Sequence, residues 1–254
     1  GDCIIHAAPM SHGSGFYILP HIANGGVNVI PESGGFNEKE LVDLISCHKG
    51  VSMFAAPTMV KRFVKYIEKT PATLTNLKTI VYGGGPMYQN DLALAHQLLG
   101  NKLVQMYGQG ECPMNICVLS KFHHENISHF EYKKRLASIG VPMLGVDVKI
   151  ADEEGVAVSA GDVGEILVRS DAVMLGYFNN SEATDKTICN GWLRTGDMAI
   201  QSHDGFISLV DRAKDVIISG GSNIYPREVE EILNNHPHIL ETSVIGQDDP
   251  DWGE

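Results

Sequence analysis

Ser52-Met-Phe-Ala-Ala56-Pro-Thr-Met-Val60-Lys-Arg-Phe63-Val64-Lys-Tyr-Ile67-Glu-Lys-Thr-Pro71 changes its period partway along. Ser52 to Ala56 is a short apolar run with the length of a buried strand. The apolar residues after it, Val60, Phe63, Val64 and Ile67, recur at i, i+3, i+4 and i+7, which is one face of a helix. Pro71 lies beyond its end. The same switch occurs on both sides. Val27 to Ile30 is β-like, and Asn37 with Glu40 makes a capping-box start. Leu41, Leu44, Ile45 and His48 then share a helical face that Gly50 ends. Thr79 to Tyr82 is again a strand, Asn90 caps a helix running through Leu99 to Gly100, and Leu103 to Met106 is the next strand. Such alternation predicts an α/β fold: a parallel sheet with helices on its faces. Ligands of these sheets sit where the strands end. There lie Gly83-Gly-Gly-Pro86 and Tyr107-Gly108.

After Glu111 the helical period disappears. Ile116 to Leu119, Val146 to Ile150, Gly164 to Val168, Met198 to Gln201 and Phe206 to Val210 are short strands between turn clusters such as Asp152-Glu-Glu-Gly155. An antiparallel β subdomain is expected. Past Arg212 come a strand at Val216 to Ile218, a helix from Pro226 to Asn235 with Val229, Ile232 and Leu233 inward, and a strand at Thr242 to Ile245. These read as the start of a small α+β domain. The expected division is 1–115, 116–211 and 212–254. Gly1 is not an initiator methionine, and both ends stop in structured-looking sequence, so the chain reads as part of something longer.

The 254 residues are 43% hydrophobic and 20% charged, as in an ordinary globular protein with a full-sized core. A net charge of −12 argues against a nucleic-acid partner and gives an anionic ligand no help from the global field. Phosphates must then be held by local devices: backbone N–H groups, one or two basic side chains, or a divalent cation. Five scattered cysteines with no CxxC pair read as reduced thiols in a cytoplasmic protein. No apolar run has the length of a membrane span.

Gly191-Trp-Leu-Arg-Thr-Gly-Asp197 followed by Asp211-Arg-Ala-Lys-Asp-Val-Ile-Ile-Ser-Gly-Gly221 carries the strongest chemical signal. A loop carboxylate that can bridge two vicinal hydroxyls, with an arginine to follow, suits a ribose and its phosphate. The terminal glycines allow close backbone approach by another ligand. Gly83-Gly-Gly-Pro86 offers a floor without side chains for a flat base, and Tyr107 could supply the opposing face. Glu111 could hold Mg²⁺. Each has an ordinary alternative: a tight turn, a turn-forming Asp, a solvated Asp211–Arg212 pair. His12, in Pro9-Met-Ser-His-Gly-Ser-Gly15, can equally be a satisfied loop histidine. His123-His124, with His129 nearby, lacks partners at metal spacing and reads as a surface feature. Glu131-Tyr-Lys-Lys-Arg135 reads as a solvated charge run.

In series these motifs resemble the adenylate-forming (ANL) superfamily of acyl- and aryl-CoA synthetases, luciferase-like proteins and peptide-synthetase adenylation domains. Gly164-Glu-Ile, Met174-Leu-Gly-Tyr-Phe178 and Pro226-Arg-Glu-Val-Glu230 complete the set in family order, and Ile217 to Glu230 is most similar to the acyl-CoA synthetase branch. The resemblance implies a ligase that converts a carboxylate and ATP to an acyl-adenylate, then transfers the acyl group to coenzyme A. On that basis Gly84, Gly85, Pro86, Tyr107 and Gly108 enclose adenine, and Gln109 and Gly110 lie near the α-phosphate. Glu111 ligates Mg²⁺, Asp197 and Arg212 bind ribose, and His12 gates the acyl pocket. Lys214 marks the hinge of the small domain, while Gly220, Gly221 and Ser222 line the pantetheine approach. The implied partners are a small-molecule carboxylic acid (fatty or aryl), ATP and coenzyme A, with no nucleic acid and no membrane span; a homo-oligomer stays open.

The chain departs from the family pattern in three ways. Gly110 stands where the family has threonine. The phosphate loop that precedes the histidine motif is absent, and a lysine near the family's carboxyl terminus lies past Glu254. Little or no adenylation is therefore expected of this polypeptide alone, which pyrophosphate release with a panel of acids would test. Two alternatives stay open: an adenylation domain that loads a carrier protein, and a catalytically silent nucleotide-binding remnant.

Overall fold

The computed structural model describes residues 1–254 other than Pro86, Gly220, Gly221, Pro237, Leu240, Pro250, Asp251 and Glu254. The chain divides into two compact units: residues 1–108 with 118–136, and residues 109–117 with 137–254.

The first unit alternates strand and helix. Its elements are β1 (Cys3–Ile5), α1 (Ile18–Ala23), β2 (Val27–Val29), α2 (Glu38–Cys47), β3 (Val51–Ala55), α3 (Pro57–Lys69), β4 (Leu77–Gly83), α4 (Gln89–Leu99) and β5 (Leu103–Gln109). The strands lie in the order β2-β1-β3-β4-β5 and every neighbouring pair is parallel. Val60, Phe63, Val64 and Ile67 of α3 are all buried against the strands, as their spacing predicts. Each such side chain contributes roughly 1.5–3 kcal/mol by leaving water.

Two caps differ from expectation. Asn37 Oδ1 accepts the Glu40 N–H at 2.9 Å, but the Glu40 carboxylate turns back to the Glu32 N–H at 2.6 Å, so the box closes on one side only. Asn90 lies inside α4, whose N-cap is Tyr88. Gly100 ends α4 at φ 64°, where a side chain would be strained.

After β6 (Cys112–Leu119) come two short helices, α5 (Lys121–Glu125) and α6 (Tyr132–Leu136), where no helical period was legible. They correct the reading of the histidines. His124 is fully buried. Its Nδ1 lies 2.8 Å from the Ser120 carbonyl, and its Nε2 lies 3.0 Å from the Tyr82 hydroxyl. A carbonyl only accepts, so Nδ1 carries the proton and Nε2 accepts from Tyr82. Burial pushes the imidazole down to about 4, so it stays neutral. The Glu131–Arg135 run is helical in part: Tyr132 opens α6 and donates to the His124 carbonyl at 2.8 Å.

The second unit contains β7 (Val141–Pro142), β8 (Asp147–Ala151), β9 (Val163–Arg169), α7 (Ser181–Thr187), β10 (Ile188–Cys189), β11 (Trp192–Gln201) and β12 (Ile207–Arg212). Strands β8 to β12 form the expected antiparallel sheet, with β9 and β12 flanking β11. A two-stranded ribbon, β13 (Ile217–Ser219) with β14 (Ser222–Ile224), and α8 (Pro226–Leu233) follow. Val229, Ile232 and Leu233 were expected inward, yet they are 36%, 67% and 39% exposed. The amino-terminal turn is what anchors α8: Pro226 is buried, and the Arg227 N–H donates to Asp211 Oδ2 at 3.1 Å. Residues 241–248 form no strand; the Val244 N–H donates to Glu230 Oε1 at 2.9 Å instead. Among the described residues no helix is long and apolar enough to cross a membrane.

Candidate functional site

In the first unit the relevant residues gather at the carboxyl ends of β4 and β5. Gly83 pairs with Met106, and a Cβ there would collide with the Met106 carbonyl. Gly84 follows at φ 80° and is exposed, as is Gly85. An ideal Cβ on Gly84 would lie 4.0 Å from His12 Cε1, so the histidine stands over the glycine floor. Tyr107 is 9% exposed and lies inside β5, which runs three residues further than expected, to Gln109.

The loop that carries His12 is held from beneath. His6 and Ser14 are buried. His6 Nε2 lies 2.8 Å from Asn28 Oδ1, an acceptor, so Nε2 holds the proton. His6 Nδ1 is then the acceptor for the Ser14 hydroxyl at 2.7 Å. One tautomer therefore ties the loop to β1 and β2. Gly13 packs on Phe54, whose ring would sit 2.5 Å from an added Cβ, and Gly15 packs on the Met10 carbonyl. Tyr17 stacks on Phe54 with ring centroids 6.3 Å apart, and its hydroxyl lies 3.2 Å from Met106 Sδ. Burial pushes this phenol up to about 12.

In the second unit a cavity of about 490 Å³ is lined by Gln109, Gly110, Glu111, Thr195, Gly196, Asp197, Arg212, Ala213 and Lys214. That is within the size range of small-molecule sites. Six of its nine residues were predicted from sequence. Asp197 does not come from a loop, however. It lies inside β11, at a break in register between Arg194 and Met198 where the strand pairs with β9.

Glu165 pins this bulge. Its Oε1 accepts the Gly196 N–H at 2.9 Å and its Oε2 accepts Arg194 Nε at 2.9 Å. Gly196 takes φ 72°. Thr195 Oγ1 donates to the Ile166 carbonyl at 2.8 Å and accepts the Asp197 N–H at 3.1 Å. On the opposite edge Asp197 pairs with Arg212 of β12, with Nε and Oδ1 3.7 Å apart. Asp211 is not paired with Arg212 through side chains; its carboxylate accepts the backbone N–H groups of Arg212 and Arg227.

Gln109 Nε2 donates to the Thr195 carbonyl at 3.1 Å, which ties the start of this segment to the bulge. Gly110 and Glu111 make the turn before β6. The Glu111 carbonyl accepts the Met174 N–H at 2.8 Å, and its Oε1 accepts the Tyr177 hydroxyl at 2.6 Å. The carboxylate raises the Tyr177 phenol above its ordinary range, chiefly through that hydrogen bond. Lys214 is exposed in a single 3₁₀ turn, Ala213–Asp215.

Among the described residues no group of three or more His, Cys, Asp or Glu could hold a metal. A lone carboxylate at a cavity wall nevertheless fits Mg²⁺, which keeps waters and takes its other ligands from nucleotide phosphates. Ser222 is exposed on β14, paired with Ser219. Pro86, Gly220 and Gly221 lie outside the described residues. Sequence reasoning left Thr195, Gly196 and Ala213 out of the site, and it missed Tyr177 and Glu165. Tyr177 lies in the quoted Met174–Phe178 motif, so the signal was present but had no chemistry attached. Glu165 lies in the quoted Gly164-Glu-Ile motif, but nothing local states its role, which is to hold another strand's bulge.

Residues 1–178 match the family described as AMP-binding enzyme. A medium/long-chain fatty-acid–CoA ligase of Mycobacterium tuberculosis is 35% identical over 97% of this chain and 42% of its own length. Among solved structures, the amide bond synthetase of Marinactinospora thermotolerans superposes with a TM-score of 0.89 and 32% identity, over 99% of this chain and 50% of that one. The o-succinylbenzoate CoA synthetase of Bacillus subtilis, solved with its acyl-adenylate intermediate, gives a TM-score of 0.86 at 31% identity, over 99% and 49%. The chain thus spans about half the length of the relatives it matches. The match runs through the histidine loop, the glycine floor and the Gln109–Glu111 turn, and on this footing the chain belongs to the AMP-binding enzyme family.

Proposed function

We propose that the protein represented by this chain uses ATP to convert a fatty or aryl carboxylic acid to an acyl-adenylate, then passes the acyl group to the thiol of coenzyme A. The observation that carries this reading is the cavity in which Asp197 and Arg212 face each other beside Gln109-Gly-Glu111. A carboxylate across from a guanidinium offers an acceptor for two ribose hydroxyls and a donor beside them. The backbone N–H groups of the turn and the Gln109 amide suit the α-phosphate.

Gly84, Gly85, Pro86, Tyr107 and Gly108 take the adenine, and His12 stands at the acyl entrance. When bound at Glu111, Mg²⁺ supplies charge neutralisation of the phosphates. The chain's own residues align the carboxylate for in-line attack on the α-phosphate, and that alignment is the main catalytic contribution. Lys214 serves as the hinge between a nucleotide-holding part, 1–115 with 116–211, and the segment 212–254. Gly220, Gly221 and Ser222 form the approach for pantetheine. Partners are small molecules rather than nucleic acid. The cytoplasm suits the free cysteines, of which Cys3, Cys112 and Cys117 are buried.

The test is calorimetric titration of the chain with a non-hydrolysable acyl-adenylate analogue. Saturable binding that Asp197→Ala weakens about 10–100-fold is expected, and no binding would sink the reading. Pyrophosphate release and thioester formation by the protein isolated from its source then identify the acid. A second reading concerns the acceptor. Similarity to an amide bond synthetase favours running amines and a phosphopantetheinyl carrier protein beside coenzyme A.

A further inference from the structure

We propose that Tyr177 is the positioning residue for the Glu111 carboxylate, its hydroxyl holding Oε1 and so leaving Oε2 as the oxygen that a nucleotide-borne divalent cation meets. The inference rests on the reading of Glu111 given above, and its support is geometric. At 2.6 Å the contact is a short, charge-assisted O–H···O⁻ hydrogen bond. The segment that carries Tyr177 also grips the Glu111 main chain, through the Met174 N–H on the Glu111 carbonyl at 2.8 Å. Glu111 is therefore held at both its backbone and its carboxylate by one strap.

The strap is itself fixed by polar bonds. The Tyr177 N–H donates to Thr184 Oγ1 at 2.9 Å, and that hydroxyl donates to the Asn180 carbonyl at 2.9 Å. Asn180 Oδ1 caps α7 through the Ala183 N–H at 3.0 Å. Gly176 takes φ 150°, and a Cβ there would lie 2.8 Å from Thr184 Cγ2. Apolar burial does not hold the strap, since Leu175 is 103% and Phe178 93% exposed. Tyr177 itself is 36% exposed, which is poor service for a core residue. A neutral hydroxyl also suits the role. It orients the carboxylate without cancelling the charge that a cation needs, as a lysine or arginine would do.

The experiment compares ATP affinity of the chain in Mn²⁺ with that in EDTA, for wild type, Tyr177→Phe and Glu111→Gln. Loss of an outer-shell partner typically weakens metal binding by about 10–100-fold. Tyr177→Phe is therefore expected to cut the Mn²⁺-dependent gain about tenfold or more, with EDTA affinity and melting temperature unchanged. If Glu111→Gln removes the gain and Tyr177→Phe does not, the positioning role is overturned while the reading of Glu111 stands. If Glu111→Gln leaves the gain intact, or wild type shows no gain, that reading fails and takes the inference with it. Equal weakening in Mn²⁺ and EDTA would make Tyr177 a purely structural residue and would also overturn the proposal.

Discussion

Asp197 and Arg212 occupy directly opposed positions on β11 and β12, and backbone pairing rather than their charges puts them there. At 3.7 Å, with the Arg212 side chain 63% exposed, the ion pair adds at most about 1 kcal/mol. Asp197→Ala is therefore expected to weaken binding of AMP about 10–100-fold, the loss of hydrogen bonds to a charged acceptor worth roughly 1.5–3 kcal/mol. Calorimetry with AMP checks this, and unchanged affinity would remove Asp197 from the ribose site.

Gly110 meets nothing within 4 Å of an added Cβ, and its φ lies outside the left-handed region. Gly110→Thr should fold with stability within about 0.5 kcal/mol of wild type. A hydroxyl placed in this turn should also tighten binding of ATP more than that of adenosine. Thermal melts and paired titrations with the two ligands read the outcome.

Ser14→Ala leaves His6 Nδ1 without its donor inside a buried loop. A loss of about 1–3 kcal/mol is expected, as for other orphaned buried acceptors. The loop should then open locally, so hydrogen exchange at Gly15, whose N–H donates to the His12 carbonyl, should rise more than exchange in the β3 core.

His124 makes stability depend on pH in a defined window. Its folded value of about 4 lies below the ordinary 6.5, so the unfolded chain takes up the proton first as pH falls. Its contribution is complete above pH 6.5 and is lost progressively down to pH 4. At 1.36 kcal/mol per pH unit the loss is roughly 3 kcal/mol. Urea denaturation of wild type and His124→Gln should show a stability gap at pH 7 that narrows by pH 4.5. A constant gap would mean that burial does not lower the His124 imidazole in the fold.

The α/β unit was legible because α3 and β3 write their burial into period alone: every residue of the Val60–Ile67 stripe is buried. His124 was not legible. Polarity argued for the surface, whereas the Tyr82 hydroxyl and Ser120 carbonyl satisfy it inside, and those partners lie far apart or out of pattern in the sequence. Asp197, Arg212 and Gln109–Glu111, which line one cavity, could be singled out in the sequence because their motifs are local. That Asp197 belongs to a strand could not be read, since Thr-Gly-Asp looks like a turn and its bulge is written in Glu165 on another strand. The α8 stripe misled for the opposite reason: periodicity states which residues could be covered, not whether anything covers them.

The bulge in β11 has a consequence for how this site can change. Between Arg194 and Met198 four steps along β11 face two along β9, since Arg194 pairs with Leu167 and Met198 with Glu165. Side chains alternate faces at every step, so the surplus preserves parity and all later residues keep their side of the sheet. Loss or gain of a single residue there would invert the outer half of the strand, sending Ala199 from the core to water. Variation in length at this place should therefore come in pairs, while substitution stays unconstrained by that count.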